Sequence, residues 1–170
     1  ATTRRRIEAT VAAVRARLPG AILRTTFLVG HPGETDAAFA NLLDFATNAR
    51  FDLAGVFAFS PEPGSAAATQ PDPVAPRTIR TRARRLERLL SDLATTRRAA
   101  MVGEVHEAVV EEVTGRGTAT GRFWFQAPEV DGAVRIEGLR RTAAGQRVRV
   151  VITGAEGADF LGRVAPSGTP

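Results

Sequence analysis

Arg24-Thr25-Thr26-Phe27-Leu28-Val29-Gly30-His31-Pro32-Gly33-Glu34-Thr35 decides the fold of the first half of this chain. An apolar, partly β-branched run from Ile22 to Val29 stops at Gly30-His31-Pro32-Gly33, and a helical pattern begins after Thr35. The stretch therefore reads as a buried strand feeding a tight turn into a helix. Two glycines allow backbone angles and close approaches that a Cβ would block, and Pro32 stiffens the turn between them. Thr35 suits the helix cap, and Asp36 suits the first turn, where a carboxylate meets the positive end of the dipole. Such a turn is a plain connection in any α/β protein. It is also where α/β folds bind ligands, at the carboxyl end of a strand facing a helix amino terminus.

Outward from the turn, Phe39, Leu42, Leu43 and Ala46 form the apolar face of a helix from about Asp36 to Ala49. Phe51 to Phe59 is a second short apolar run, read as a parallel strand buried on both faces. Ser60 to Pro76 is a loop holding five of the ten prolines, and because it follows a strand it belongs to the rim of the focal turn. Upstream, Ile7, Val11, Val14 and Leu18 make one helical stripe over residues 3–18, with Arg4, Arg5, Arg6, Arg15 and Arg17 read as a solvated face. Downstream, Arg77 to Met101 predicts a helix with Ile79, Ala83, Leu86, Leu90 and Leu93 inward and eight arginines. Those arginines read as a solvated outer face, with RNA or an acidic partner as the alternatives.

From Val102 the period changes to alternation. Val105, Val109 and Val113 alternate with polar neighbours; further strands follow at Thr118 to Gln126, Ala133 to Glu137, Gln146 to Thr153 and Asp159 to Val164. Val148, Val150 and Ile152 face one way and Arg147 and Arg149 the other. Five short strands predict a small OB-like β-barrel, so the fold class is α/β followed by all-β, with units at 1–101 and 102–166 and a tail at 167–170. Trp124 between Phe123 and Phe125 offers a base-stacking surface or, more commonly in a barrel, core packing.

The 170 residues contain no cysteine, which excludes disulfides and thiolate metal ligands from this chain. No apolar run approaches a membrane span and no leader pattern is present, so a cytoplasmic location is expected. Residues 1–101 hold 15 arginines against 9 acidic residues, while residues 102–170 hold 8 against 9. The helical half is therefore the basic one, and the barrel is near neutral.

Three stretches in order, Arg24 to Thr35, Phe51 to Ser65 (especially Phe57-Ala58-Phe59-Ser60-Pro61-Glu62-Pro63-Gly64-Ser65) and Gly121 to Gly138 (especially Gln126-Ala127-Pro128-Glu129-Val130-Asp131-Gly132), are similar to the carboxyl-terminal part of RimO-type methylthiotransferases. These are radical S-adenosylmethionine enzymes that methylthiolate an aspartate of small-subunit ribosomal protein twelve. The resemblance implies the second part of a radical-SAM, TIM-like barrel followed by a TRAM domain. It implies S-adenosylmethionine contacts at Leu28, Gly30 and Glu34, and substrate contacts at Gln126, Pro128, Glu129 and Asp131. Thr26 and His31 depart from the usual glycine and aromatic of the first motif; His31 reads as a turn residue rather than an acid or base.

The family's two 4Fe–4S clusters require cysteines that this chain lacks, so the chain alone is expected to be inactive. The implied reaction is reductive cleavage of S-adenosylmethionine, hydrogen abstraction from the aspartate side chain, then sulfur and methyl transfer. A MiaB-type enzyme acting on tRNA adenosine is the alternative within the superfamily. A noncatalytic TRAM-type module that binds RNA or a ribosomal protein is the alternative outside it. The Gln126 to Gly132 wording and the near-neutral barrel favour the protein-modifying branch.

Overall fold

A computed structural model describes residues 3–140 and 143–166; the expected tail at 167–170 lies outside the described residues. The chain divides into two compact units, residues 1–94 and 95–170. The first contains α1 (Arg4–Arg17), β1 (Arg24–Val29), α2 (Asp36–Ala49), β2 (Leu53–Ala58), a 3-10 turn (Ala66–Thr69) and most of α3 (Pro76–Ala100). No helix among the described residues is long and apolar enough to cross a membrane.

Local chemistry sets these boundaries. Thr35 Oγ1 accepts from the Ala38 amide at 3.1 Å, Asp36 occupies the first turn of α2, and the helix ends at Arg50 in the left-handed region. Strands β1 and β2 pair in parallel, with Phe27 opposite Val56 and Leu28 opposite Phe57. Phe27 and Val29 point into a core with Phe39, Phe45, Ala46, Ala83 and Leu86. Phe27, Phe45 and Phe51 meet edge to face, with ring centroids 6.0 to 6.2 Å apart.

Neither strand is buried on both faces: Leu28 of β1 is 48% exposed and Phe57 of β2 67% exposed on the side of the sheet away from that core. A two-stranded sheet gives each strand one covered face, because alternate side chains point to opposite sides. Nor are the α1 arginines all solvated. Arg4 bonds Asp44 at 2.6 Å and the Asn41 side chain, and Arg15 reaches the Arg50 carbonyl and lies 3.5 Å from Asp52. No residue of α1 is fully buried, so these polar ties supplement a half-covered apolar stripe.

The second unit is a closed barrel of β3 (Val105–Gly115), β4 (Thr118–Phe123), β5 (Val134–Glu137), β6 (Arg147–Glu156) and β7 (Asp159–Val164), ordered β3-β4-β5-β7-β6. All neighbours are antiparallel except β5 and β7. Val150 and Ile152 point inward, as expected. On β3, however, the inward residues are Ala108 and Val110, not the odd-numbered valines, and Val113 is exposed beyond an irregularity at Val110/Glu112. Valines on both sides of the pleat made the two registers look alike. Strand β4 ends at Phe123, short of the expected Gln126, because Trp124 and Phe125 form a turn in which Phe125 still packs on the barrel core. Gly162 faces inward on β7, where a Cβ would overlap Val150 Cγ1.

The link that positions the focal turn comes from α3. Arg82 donates to Glu34 Oε1 at 2.7 Å and to the Glu34 carbonyl at 2.8 Å, and to Asp36 Oδ1 at 2.7 Å. The Arg82 and Glu34 side chains are 8% and 11% exposed. Glu34 Oε2 in turn accepts from the Gly30 amide at 3.1 Å. Gly30 has φ +83, and a Cβ there would lie 2.5 Å from Ile79 Cγ1 of α3, so only glycine fits both the angle and the space.

Two outcomes are expected from this packing. Gly162→Ala should destabilise the barrel by about 1–3 kcal/mol through overpacking, read by urea denaturation, whereas Gly20→Ala, which meets nothing within 4 Å, should stay within about 0.5 kcal/mol. Arg82→Met should cost about 3–5 kcal/mol because it leaves the Glu34 carboxylate buried without its partner; loss confined to the first unit is the result to look for in hydrogen exchange.

Candidate functional site

The rim of the first unit is built from the turn after β1 and the loop after β2. They are tied directly, since the Gly33 amide donates to the Asp72 carbonyl at 2.9 Å. Between them and the start of α3 lies a groove of about 490 Å³, lined among others by Pro32, Phe59, Pro61, Val74, Ile79 and Arg80. Its lining is apolar apart from Ser60, Gln70 and Arg80. The His31 ring stands edge-on to Phe59 at 5.4 Å, and its Nδ1 lies 3.0 Å from the Pro32 carbonyl oxygen. The histidine is thus packed into the turn.

The three residues expected at a cofactor are placed differently from one another. Gly30 and Glu34 are joined by their hydrogen bond and face the Arg82 clamp. Leu28 stands on the uncovered sheet face with Phe57 as its cross-strand partner. Composition alone does not single out this clamp, because Arg82 stands among eight arginines of α3. Its signal was positional: it falls three residues after Ile79 and four before Leu86, inside the apolar stripe. Burial alone would lower the pKa of the Arg82 guanidinium, but hydrogen bonds to Asp36 and Glu34 outweigh it and raise the pKa above the ordinary arginine value.

In the barrel unit, the loop from Gln126 to Gly132 is held by its own side chains. Buried Gln126 accepts from the Phe123 amide at 2.9 Å and donates to the carbonyls of Asp131 and Gly132 at 3.2 and 3.1 Å. Asp131 Oδ2 accepts from the Ala127 amide at 2.6 Å. These two residues therefore shape the loop, and Pro128 and Glu129 form its exposed tip with Val130, which is 69% exposed. Glu129 takes φ +61 there. Trp124, 62% exposed, stands edge-on to Phe125 at 5.6 Å, while Phe123 is buried in the core. The tip can offer a partner an apolar contact beside one carboxylate.

Neither site fits an iron–sulfur cluster, since thiolates hold such clusters and the chain has no cysteine. Among the described residues no group of three or more histidine or acidic side chains is arranged to hold a metal ion.

Residues 102–165 match the TRAM domain family. Over 89% of its length the chain is 39% identical to a ribosomal protein uS12 methylthiotransferase RimO of Desulforamulus reducens and 42% identical to that of Pelotomaculum thermopropionicum. The RimO protein of Parasynechococcus marenigrum is 41% identical over the same share. The chain spans about a third of the length of these relatives, 33 to 35%. By sequence, then, this chain is similar to the RimO methylthiotransferases along nearly all of its own length, and residues 102–165 match the TRAM domain.

Proposed function

We propose that this chain is the carboxyl-terminal part of a methylthiotransferase acting on an aspartate of ribosomal protein uS12. In this reading residues 1–101 are the second part of a radical S-adenosylmethionine barrel and residues 102–166 the substrate-docking TRAM domain, in a cytoplasmic enzyme. The observation that carries it is identity of 39 to 43% with proteins of that name over about nine-tenths of the chain. When bound, S-adenosylmethionine supplies the radical and the methyl group of this chemistry. The residues present fit its adenine: Leu28 and Phe57 offer adjacent exposed apolar side chains on one sheet face. Gly30 and Glu34 hold the turn beside them rather than spend free polar groups on the ligand. The clusters are assigned no residue here.

On the barrel, Glu129 and Pro128 are the docking contacts, and Gln126 and Asp131 fix the loop that presents them. The tip's carboxylate suits a basic ribosomal protein better than a polyphosphate backbone. This favours uS12 over the tRNA of the MiaB-type alternative.

Titration calorimetry of this chain with purified uS12, and separately with tRNA, at two salt concentrations tests the reading. Saturable binding to uS12 with a shallow salt dependence is expected; absence of uS12 binding, whatever the affinity for tRNA, would overturn it. Glu129→Gly should weaken uS12 binding about threefold as an exposed rim charge is lost. Its stability should stay unchanged or rise by up to about 1 kcal/mol, since glycine accepts the positive φ. In the enzyme at the full length of its relatives, Leu28→Asp should raise the dissociation constant for S-adenosylmethionine at least tenfold, on the order of 1.4 kcal/mol, while Leu28→Met stays close to the parent.

A further inference from the structure

The arginines of α3 fall into two groups. Arg82 is buried in the clamp; of the others, Arg77, Arg80, Arg84, Arg85, Arg88 and Arg97 are exposed and Arg98 is half-buried, and Arg77, Arg80, Arg84 and Arg88 share one side of the helix. At about 100° per residue these four span a strip about 80° wide, centred opposite Leu86 and Leu90. From Arg80 to Arg84 to Arg88 each step is about 6 Å along the axis. No carboxylate is within ion-pair distance of Arg77, Arg80, Arg84 or Arg88 among the pairs described, unlike Arg4, Arg15 and Arg82, which are all paired. Two shallow surface grooves run beside the strip. One is lined by Arg77, Thr78, Thr81 and Arg85 together with Asp36, Phe39 and Arg82 of the clamp region, the other by Arg84, Glu87, Arg88 and Ser91. Over α3 as a whole, eight arginines face only two acids, Glu87 and Asp92.

A row of exposed guanidiniums that no described carboxylate pairs, with the Arg88 Nε donating to the Arg84 carbonyl at 3.2 Å and hydroxyls alongside, is complementary to a phosphate backbone. Each guanidinium matches phosphate oxygens with paired N–H donors, and its neutralisation of a phosphate releases a condensed counterion. The strip carries no aromatic side chain to stack bases, so it can grip a folded backbone but cannot read a sequence. We propose that the outward strip Arg77, Arg80, Arg84 and Arg88 is a contact surface for the backbone of structured RNA. It is separate from the Glu129 tip and does not depend on uS12 docking there.

The test is binding of the whole chain to a synthetic RNA stem-loop across a salt series, with two triple variants of equal charge loss. Arg80→Gln/Arg84→Gln/Arg88→Gln removes the strip. Arg116→Gln/Arg140→Gln/Arg163→Gln removes three exposed arginines of the barrel unit. The strip variant is expected to bind at least tenfold more weakly at about 0.1 M salt and to lose about 3 from the slope of log K against log salt, roughly one per phosphate contact. The barrel variant should bind like the parent. Equal weakening of both would mean that only net charge matters, and an unchanged strip variant would mean that the strip makes no contact; either overturns the proposal. So would polyglutamate displacing the RNA and binding more tightly than it, which would make an acidic protein the partner. Helical circular dichroism of each variant at each salt confirms that a folded chain is being compared.

Discussion

The Arg82 guanidinium, taken out of water between Glu34 and Asp36, is the constraint on which the rim of the first unit depends. Burying a charge costs several kcal/mol, and the structure recovers this through short, charge-assisted bonds. The two bonds are unequal. Asp36 is fully exposed, so its contact is screened and weak, whereas Glu34 is nearly as buried as its partner. Because the second oxygen of Glu34 holds the Gly30 amide, the ion pair runs from α3 through a carboxylate into the backbone of the turn. Ile79, one turn earlier on the same helix, fills the space that a Gly30 side chain would need. Helix α3 therefore shapes the turn twice, by charge and by contact.

The barrel solves its own problem with size. Closing five strands leaves little room inside, and the inward positions alternate small residues, Ala108, Ala119, Gly121 and Gly162, with large ones, Phe123, Ile136, Ile152 and Phe160. The chain then leaves the barrel wall at Trp124, and Gln126 compensates for the lost ladder by bonding the Phe123 amide and two carbonyls across the loop. A buried amide that satisfies three backbone groups explains why the loop keeps a defined shape while its tip carries only exposed side chains.

Most of this was legible in the sequence where a period or a cap announced it. Thr35 and Asp36 marked the start of α2, and the switch from helical to alternating pattern marked the barrel and its five strands. What was missed depended on contacts between segments far apart in the chain. Arg82 meets Glu34 across 48 positions, and nothing local distinguishes it from Arg84 except its place in the stripe. The inward face of β3 was misjudged because valine stands on both sides of the pleat, and only the pairing with β4 and β6 decides between them. Strand β2 looked buried on both sides because its apolar run was continuous, yet Phe57 and Leu28 lie on a face that the described residues leave open.

That open face and the arginine strip follow from the same rule. A continuous apolar run in a two-stranded sheet turns about half of its side chains away from the core, and of the eight arginines on the 25-residue α3 one, Arg82, is buried. In both elements the exceptional residues are those whose type disagrees with their side: Leu28 and Phe57 apolar and outward, Arg82 charged and inward. Arg82 and Arg84 are two residues apart, about 200° around one helix. The first had to acquire two carboxylates to be buried at all; the second keeps its charge in solvent, where a guanidinium costs little to hold and is free to meet an anion.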